Sequence, residues 1–94
     1  MHGLSEETYK QILQVINKYA DKKFKLFGSR AIDKAKSNSD IDIAVLDVVE
    51  EKEMINIQND FDLLDIPYTI DLVFIEEILK SGLQDAILRE GVDF

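Results

Sequence analysis

The stretch Phe24-Lys-Leu-Phe-Gly-Ser-Arg-Ala-Ile-Asp-Lys-Ala-Lys-Ser-Asn-Ser-Asp-Ile-Asp-Ile-Ala-Val-Leu46 decides how this chain is read. A short apolar strand, 24–27, runs into Gly28-Ser29-Arg30. Ten residues separate Ser29 from Asp40-Ile41-Asp42, which opens a second apolar strand, 40–46. Side chains alternate along a strand, so Ile41, Ile43 and Val45 share one face, and Asp40 and Asp42 share the other. The two acidic Cα atoms then lie about 6.5–7 Å apart. Carboxylates at that spacing repel each other unless a cation lies between them. Magnesium suits such a pair, because it accepts carboxylate oxygens and keeps positions open for phosphate.

Gly28 and Ser29 supply the complementary half. A glycine after a strand lets the backbone approach a ligand closely. The N–H groups of a helix start, with the Ser29 hydroxyl, make an anion site. Gly-Ser-Arg alone is a common turn, and Asp-x-Asp alone is a common solvated strand face. Together, between two apolar strands, they describe a phosphate cradle beside a metal-binding carboxylate pair, which points to nucleoside triphosphate chemistry.

The constellation resembles the nucleotidyltransferase superfamily of DNA polymerase beta. Phe27-Gly28-Ser29 and Ser39-Asp40-Ile41-Asp42-Ile43 match its signature. Gly28-Ser29-Arg30-Ala31 followed by Ser39-Asp40-Ile41-Asp42 is similar, residue by residue, to the minimal nucleotidyltransferases (MNT proteins). The family's third carboxylate lies on a later strand, and Asp71 in Tyr68-Thr-Ile-Asp-Leu-Val-Phe74 fits it. The resemblance spans nearly the whole chain. One departure is Asp33, where many relatives carry a glycine.

The resemblance implies an α/β (α+β) nucleotidyltransferase fold: a small mixed sheet with helices packed on one face. It implies Asp40, Asp42 and Asp71 as catalytic residues and as ligands of two Mg2+ ions. Gly28, Ser29 and Arg30 become the nucleotide-binding residues. The reaction is transfer of a nucleoside monophosphate, with AMP from ATP expected, to a hydroxyl acceptor. Minimal nucleotidyltransferases are often paired with small helical HEPN proteins, and as antitoxins they can adenylylate a partner tyrosine. Three rival readings stay open: a nucleotide-binding subunit of a two-component small-molecule transferase, a non-catalytic antitoxin that masks its partner, and an acidic interaction module. The intact aspartate triad argues against the last.

Composition narrows the rest. A chain of 94 residues, 46% of them apolar, reads as a single domain, 1–94, with a small core. No apolar run is long enough to cross a membrane, Met1-His2-Gly3 is too short and polar to be a leader, and there is no cysteine. A cytoplasmic protein is the expectation, with homo-oligomerisation left open. The net charge of −8 argues against direct nucleic-acid binding. Residues 18–36 nevertheless hold seven bases against two acids, while residues 37–94 hold fifteen acids against three bases. A positive segment around the phosphate loop suits a triphosphate, although Lys18, Lys22 and Lys23 read equally well as a solvated face.

Periodicity predicts the remaining elements. Ser5 is a candidate N-cap, with Glu6 and Glu7 in the first turn and a Leu4–Tyr9 staple. Tyr9, Ile12, Leu13, Ile16, Tyr19 and Ala20 follow at helical spacing, predicting a helix over about 5–21. A helical turn and then a loop are expected over 29–36, and a polar turn over 36–39. A second helix is expected over 47–65, with Met54, Ile57, Phe61 and Leu64 inward and Pro67 beyond its end. A third strand is expected over 68–74, and Asp71 within its apolar run is expected to need a cationic partner. A last helix over 76–89 carries Ser81-Gly82 as a weak point. Residues 92–94 are expected to add an edge strand or to dock on the core.

Overall fold

The computed structural model describes residues 2–36 and 38–94, so Met1 and Ser37 lie outside it. Four strands form one mixed sheet, with β1 at Phe24–Phe27, β2 at Ile41–Val45, β3 at Ile70–Phe74 and β4 at Val92–Asp93. Their order is β3-β2-β1-β4. β1 runs antiparallel to both of its neighbours, and β2 pairs parallel with β3. The parallel pair needs a crossover, and the helix α2, Glu51–Asp62, provides it.

The alternation read from the sequence is the core pattern. Ile41, Ile43 and Val45 are fully buried. They pack with Phe24, Leu26 and Leu72 beneath α2 and the N-terminal helix α1, Glu6–Lys18. Each such aliphatic side chain contributes about 1.5–3 kcal/mol through burial. α2 turns Ile57 and Phe61 into this cluster, with Met54 and Leu64 packed against it, as the spacing predicts.

α1 is shorter than predicted and rotated. Ser5 caps it by accepting from the Thr8 N–H at 3.2 Å. Its buried line is Thr8, Ile12, Val15 and Tyr19, while Ala20 is exposed. The helix stops at Tyr19, whose hydroxyl donates to the Asp60 carboxylate of α2, and Lys18 pairs with the same acid at 3.0 Å. Burial and that hydrogen bond push the Tyr19 phenol up to about 12. α2 likewise starts later than expected. Asp47 is drawn out of helical geometry to accept from the Lys23 N–H, and Val49 is buried while Val48 is exposed.

The C-terminal region departs most from the prediction. The single helix expected over 76–89 is two, α3 at Ile75–Ser81 and α4 at Gln84–Glu90. Gly82 breaks it by adopting φ +73, the left-handed geometry that ends helices. α1 and α2 are the expected helical layer. α3 and α4 add a smaller one on the opposite face, where Ile78 and Ile87 cover Ala44 and Val73. Val92–Asp93 pairs with β1, and Phe94 packs near Tyr9, so the terminus both adds a strand and docks. Among the described residues, no helix is long and apolar enough to cross a membrane.

Candidate active site

α3 and α4 cover only part of their face of the sheet, and the aspartates lie on that same face at the N-terminal end of the parallel pair. In the register of β2 and β3, Asp42 stands directly beside Asp71. Neighbouring strands are about 4.8 Å apart, so the two carboxylates are close enough to interact. Asp40 precedes β2 by one residue and lies on the Asp42 side of it. On its other flank Asp42 pairs with Phe27 of β1.

The electrostatics follow from that crowding. The Asp42 carboxyl is pushed above the usual carboxylate value, first by burial and then by the negative charges of Asp71 and Asp40. It also lies within hydrogen-bonding reach of Asp71. Two carboxylates that share a proton occupy an arrangement in which a cation can take the proton's place. Asp71 is exposed at the sheet edge, so its expected need for a partner does not arise from desolvation.

Gly28 joins the two motifs physically. It follows β1 directly, takes φ +75, and opens a 3-10 turn over Gly28–Arg30. A Cβ at this position would overlap the Asp42 carboxylate oxygen and stand 3.0 Å from its Cγ. The glycine is therefore required twice, by its backbone angle and by the acid lying against it. The turn is closed by the Ala31 N–H donating to the Gly28 carbonyl at 3.1 Å and the Lys34 N–H donating to the Ser29 carbonyl at 2.9 Å. A single 3-10 turn carries little macrodipole, so an anion here would rely on local N–H groups and the half-buried Ser29. Asp33 takes φ +57, which is the conformation that a glycine at this position would adopt easily.

Arg30 is placed otherwise than expected. It is 1% exposed, which removes it from contact with a phosphate in solution. Its guanidinium donates to the carbonyls of His2 and Ser39 and stacks over Tyr68. Tyr68 carries no motif signal, and its nearness to Asp71 in sequence is the one hint of its place. The positive segment is also partly neutralised, since Lys18, Lys22 and Lys25 pair with Asp60, Asp21 and Glu53, and Asp93. Lys34 and Lys36 stay exposed in the loop between Gly28 and Asp40. Within that loop, the Ser39 hydroxyl accepts from the Lys36 N–H at 2.8 Å, while Ser37 of the turn expected over 36–39 lies outside the described residues.

The donors suit a hard cation. Among the described residues, no three acidic, histidine or cysteine side chains gather into a ready-made metal cluster. Asp42 and Asp71 with Asp40 beside them are instead an oxygen-only set. Magnesium needs no more, because it retains water and draws remaining ligands from substrate phosphates.

Comparison with known proteins agrees with this geometry. The family model described as "Polymerase beta, Nucleotidyltransferase" matches residues 10–93, from the second turn of α1 to β4. Nothing among curated proteins matched the chain.

Proposed function

This chain belongs to the polymerase beta nucleotidyltransferase family, and from that premise we propose that it transfers AMP from ATP to a hydroxyl on a small helical partner protein, as the antitoxin of a HEPN/MNT-type pair. General nucleotidyl transfer follows from the family. The observation that carries the site is the pairing of Asp42 with Asp71 in one register, with Gly28 against the Asp42 carboxylate.

Asp40, Asp42 and Asp71 are the residues that would hold Mg2+, and two such ions would neutralise the triphosphate and stabilise the entering and leaving oxygens. Gly28 and Ser29 hold the β- and γ-phosphates through backbone N–H groups and the serine hydroxyl. Asp40 and Asp42, as ligands of such an ion, would set its position beside that cradle. Asp71, exposed at the edge of the sheet, receives the proton from the acceptor hydroxyl as its oxygen attacks. Pyrophosphate leaves on the Gly28-Ser29 side. The exposed sheet edge also suits an acceptor presented by another chain.

The test rests on Asp71→Asn. The side chain is exposed, so the variant is expected to fold normally and still bind nucleotide. Transfer of labelled AMP to the partner should fall by at least ~100-fold, the lower end of what a positioned base provides. Neutralisation of the partner should fall with it. Full neutralisation by the folded variant, with no label on the partner, would mean that the protein acts by masking and not by catalysis.

A further inference from the structure

Burying a cation without an anion is costly, and a residue that only fills volume need not be charged. Arg30 is 1% exposed, and none of the ion pairs among the described residues includes it. Its Nε is buried without a hydrogen-bond partner among the described residues. A leucine or methionine would fill the same space without that penalty, so packing does not account for an arginine here. What the guanidinium touches does. Nη2 donates to the Ser39 carbonyl at 2.7 Å, a short, charge-assisted bond. Nη1 donates to the His2 carbonyl at 3.1 Å. Its Cζ lies 4.8 Å from the centre of the Tyr68 ring.

These contacts fall just upstream of the carboxylates. Ser39 is the residue before Asp40, and Tyr68 stands three before Asp71. Between them the Ile41 N–H donates to the Thr69 carbonyl at 2.9 Å, which ties the start of β2 to the approach to β3. Arg30 itself ends the 3-10 turn that Gly28 begins. One side chain thus spans the phosphate turn, the residue ahead of the first two acids and the ring ahead of the third. We infer that Arg30 is a positioning residue, which sets the spacing of Asp40 and Asp42 against Asp71 by clamping the two strand starts and touches no substrate.

Lysine cannot replace it. An ammonium lacks the planar fork that reaches two carbonyls while stacking on a ring. Arg30→Lys, Arg30→Met and Tyr68→Leu provide the test, read first by amide hydrogen exchange and then by calorimetry with Mn2+ and a non-hydrolysable ATP analogue. Folded variants are expected to exchange the Ile41 amide at least about tenfold faster, while Leu26 and Ile43 in the middle of the sheet keep their protection. Affinity for the Mn2+–nucleotide pair should fall about tenfold, with no rescue by lysine. Should both Arg30 variants fail to fold, Tyr68→Leu answers in their place, since Tyr68 is only half-buried. Wild-type exchange at Ile41 with wild-type affinity overturns the inference. So does an equal loss of protection across the whole sheet, which would make Arg30 a general stabiliser. The inference rests on the carboxylate site proposed above, and the two fail separately. A wild-type protein that binds no Mn2+–nucleotide refutes that site, and the exchange pattern alone then decides the role of Arg30.

Discussion

At the scale of single residues, two backbone angles separate a functional constraint from a tolerated one. Gly28 and Asp33 both have positive φ, but only Gly28 has an acid lying where its Cβ would be. Gly28→Ala therefore meets strain and a clash together, and the Asp42 carboxylate must move. The variant is expected to lose about 1–3 kcal/mol in urea unfolding and to bind metal–nucleotide more weakly. Unchanged binding in a folded variant would separate the turn from the site. Asp33 occupies the left-handed region at some cost, which is smaller for aspartate than for most residues. Asp33→Gly removes that cost and should gain up to about 1 kcal/mol by the same assay. A loss instead would assign the Asp33 carboxylate an interaction of its own. Both motif glycine and motif aspartates were legible in the sequence, because close approach and like-charge pairing leave few residue choices. The place of Arg30 was not, since the motif reads it as a nucleotide-binding residue and nothing local announces two carbonyls arriving from residues 2 and 39.

At the scale of elements, legibility tracked how local the determining forces are. β1 and the alternation of β2 follow from neighbouring residues, and both were readable. The end of α1 was not, because the Tyr19–Asp60 contact joins positions 41 residues apart. An edge strand over 92–94 was readable, but its choice of β1 as partner is equally non-local. Gly82 is an intermediate case: the weak point was visible, but whether the helix bends or breaks depends on how Ile78 and Ile87 reach Ala44 and Val73. The break lets α3 and α4 each turn one isoleucine onto the sheet. A Cβ at Gly82 would meet open space, so Gly82→Ala tests the backbone angle without a steric term. The variant should lose about 1 kcal/mol, a drop in Tm of about 4–8 °C for a domain of this size. A gain in stability would mean that one continuous helix also packs, and that the break is not needed to cover the sheet.

At the scale of the whole molecule, charge and stability are opposed at the site. The chain carries a net −8, and Asp42 stands among acids with part of its surface buried. Its carboxyl is raised in the folded protein, so the native state holds that proton more tightly than the unfolded chain does. The sign follows from linkage: stability falls as pH rises from the ordinary carboxylate value through the raised one, and the penalty is complete only above the raised value. Asp60 has the opposite sign. Its hydrogen bonds from Tyr19 and Lys18 lower it, so it contributes stability that is present above the unfolded value and lost on acidification. Asp42→Asn isolates the first effect. Without metal the variant should melt above the wild type at pH 7, and the gap should close toward pH 4. Divalent cations should reverse the order. Mg2+ held at ten times its dissociation constant stabilises by about 1.4 kcal/mol, and the wild type should show that rise while Asp42→Asn shows little of it. Sodium chloride at equal ionic strength is the control, because general screening relieves a chain of this charge without discriminating between the two proteins. An equal Mg2+ response in both would place the ion elsewhere on the acidic surface and remove Asp42 from its coordination.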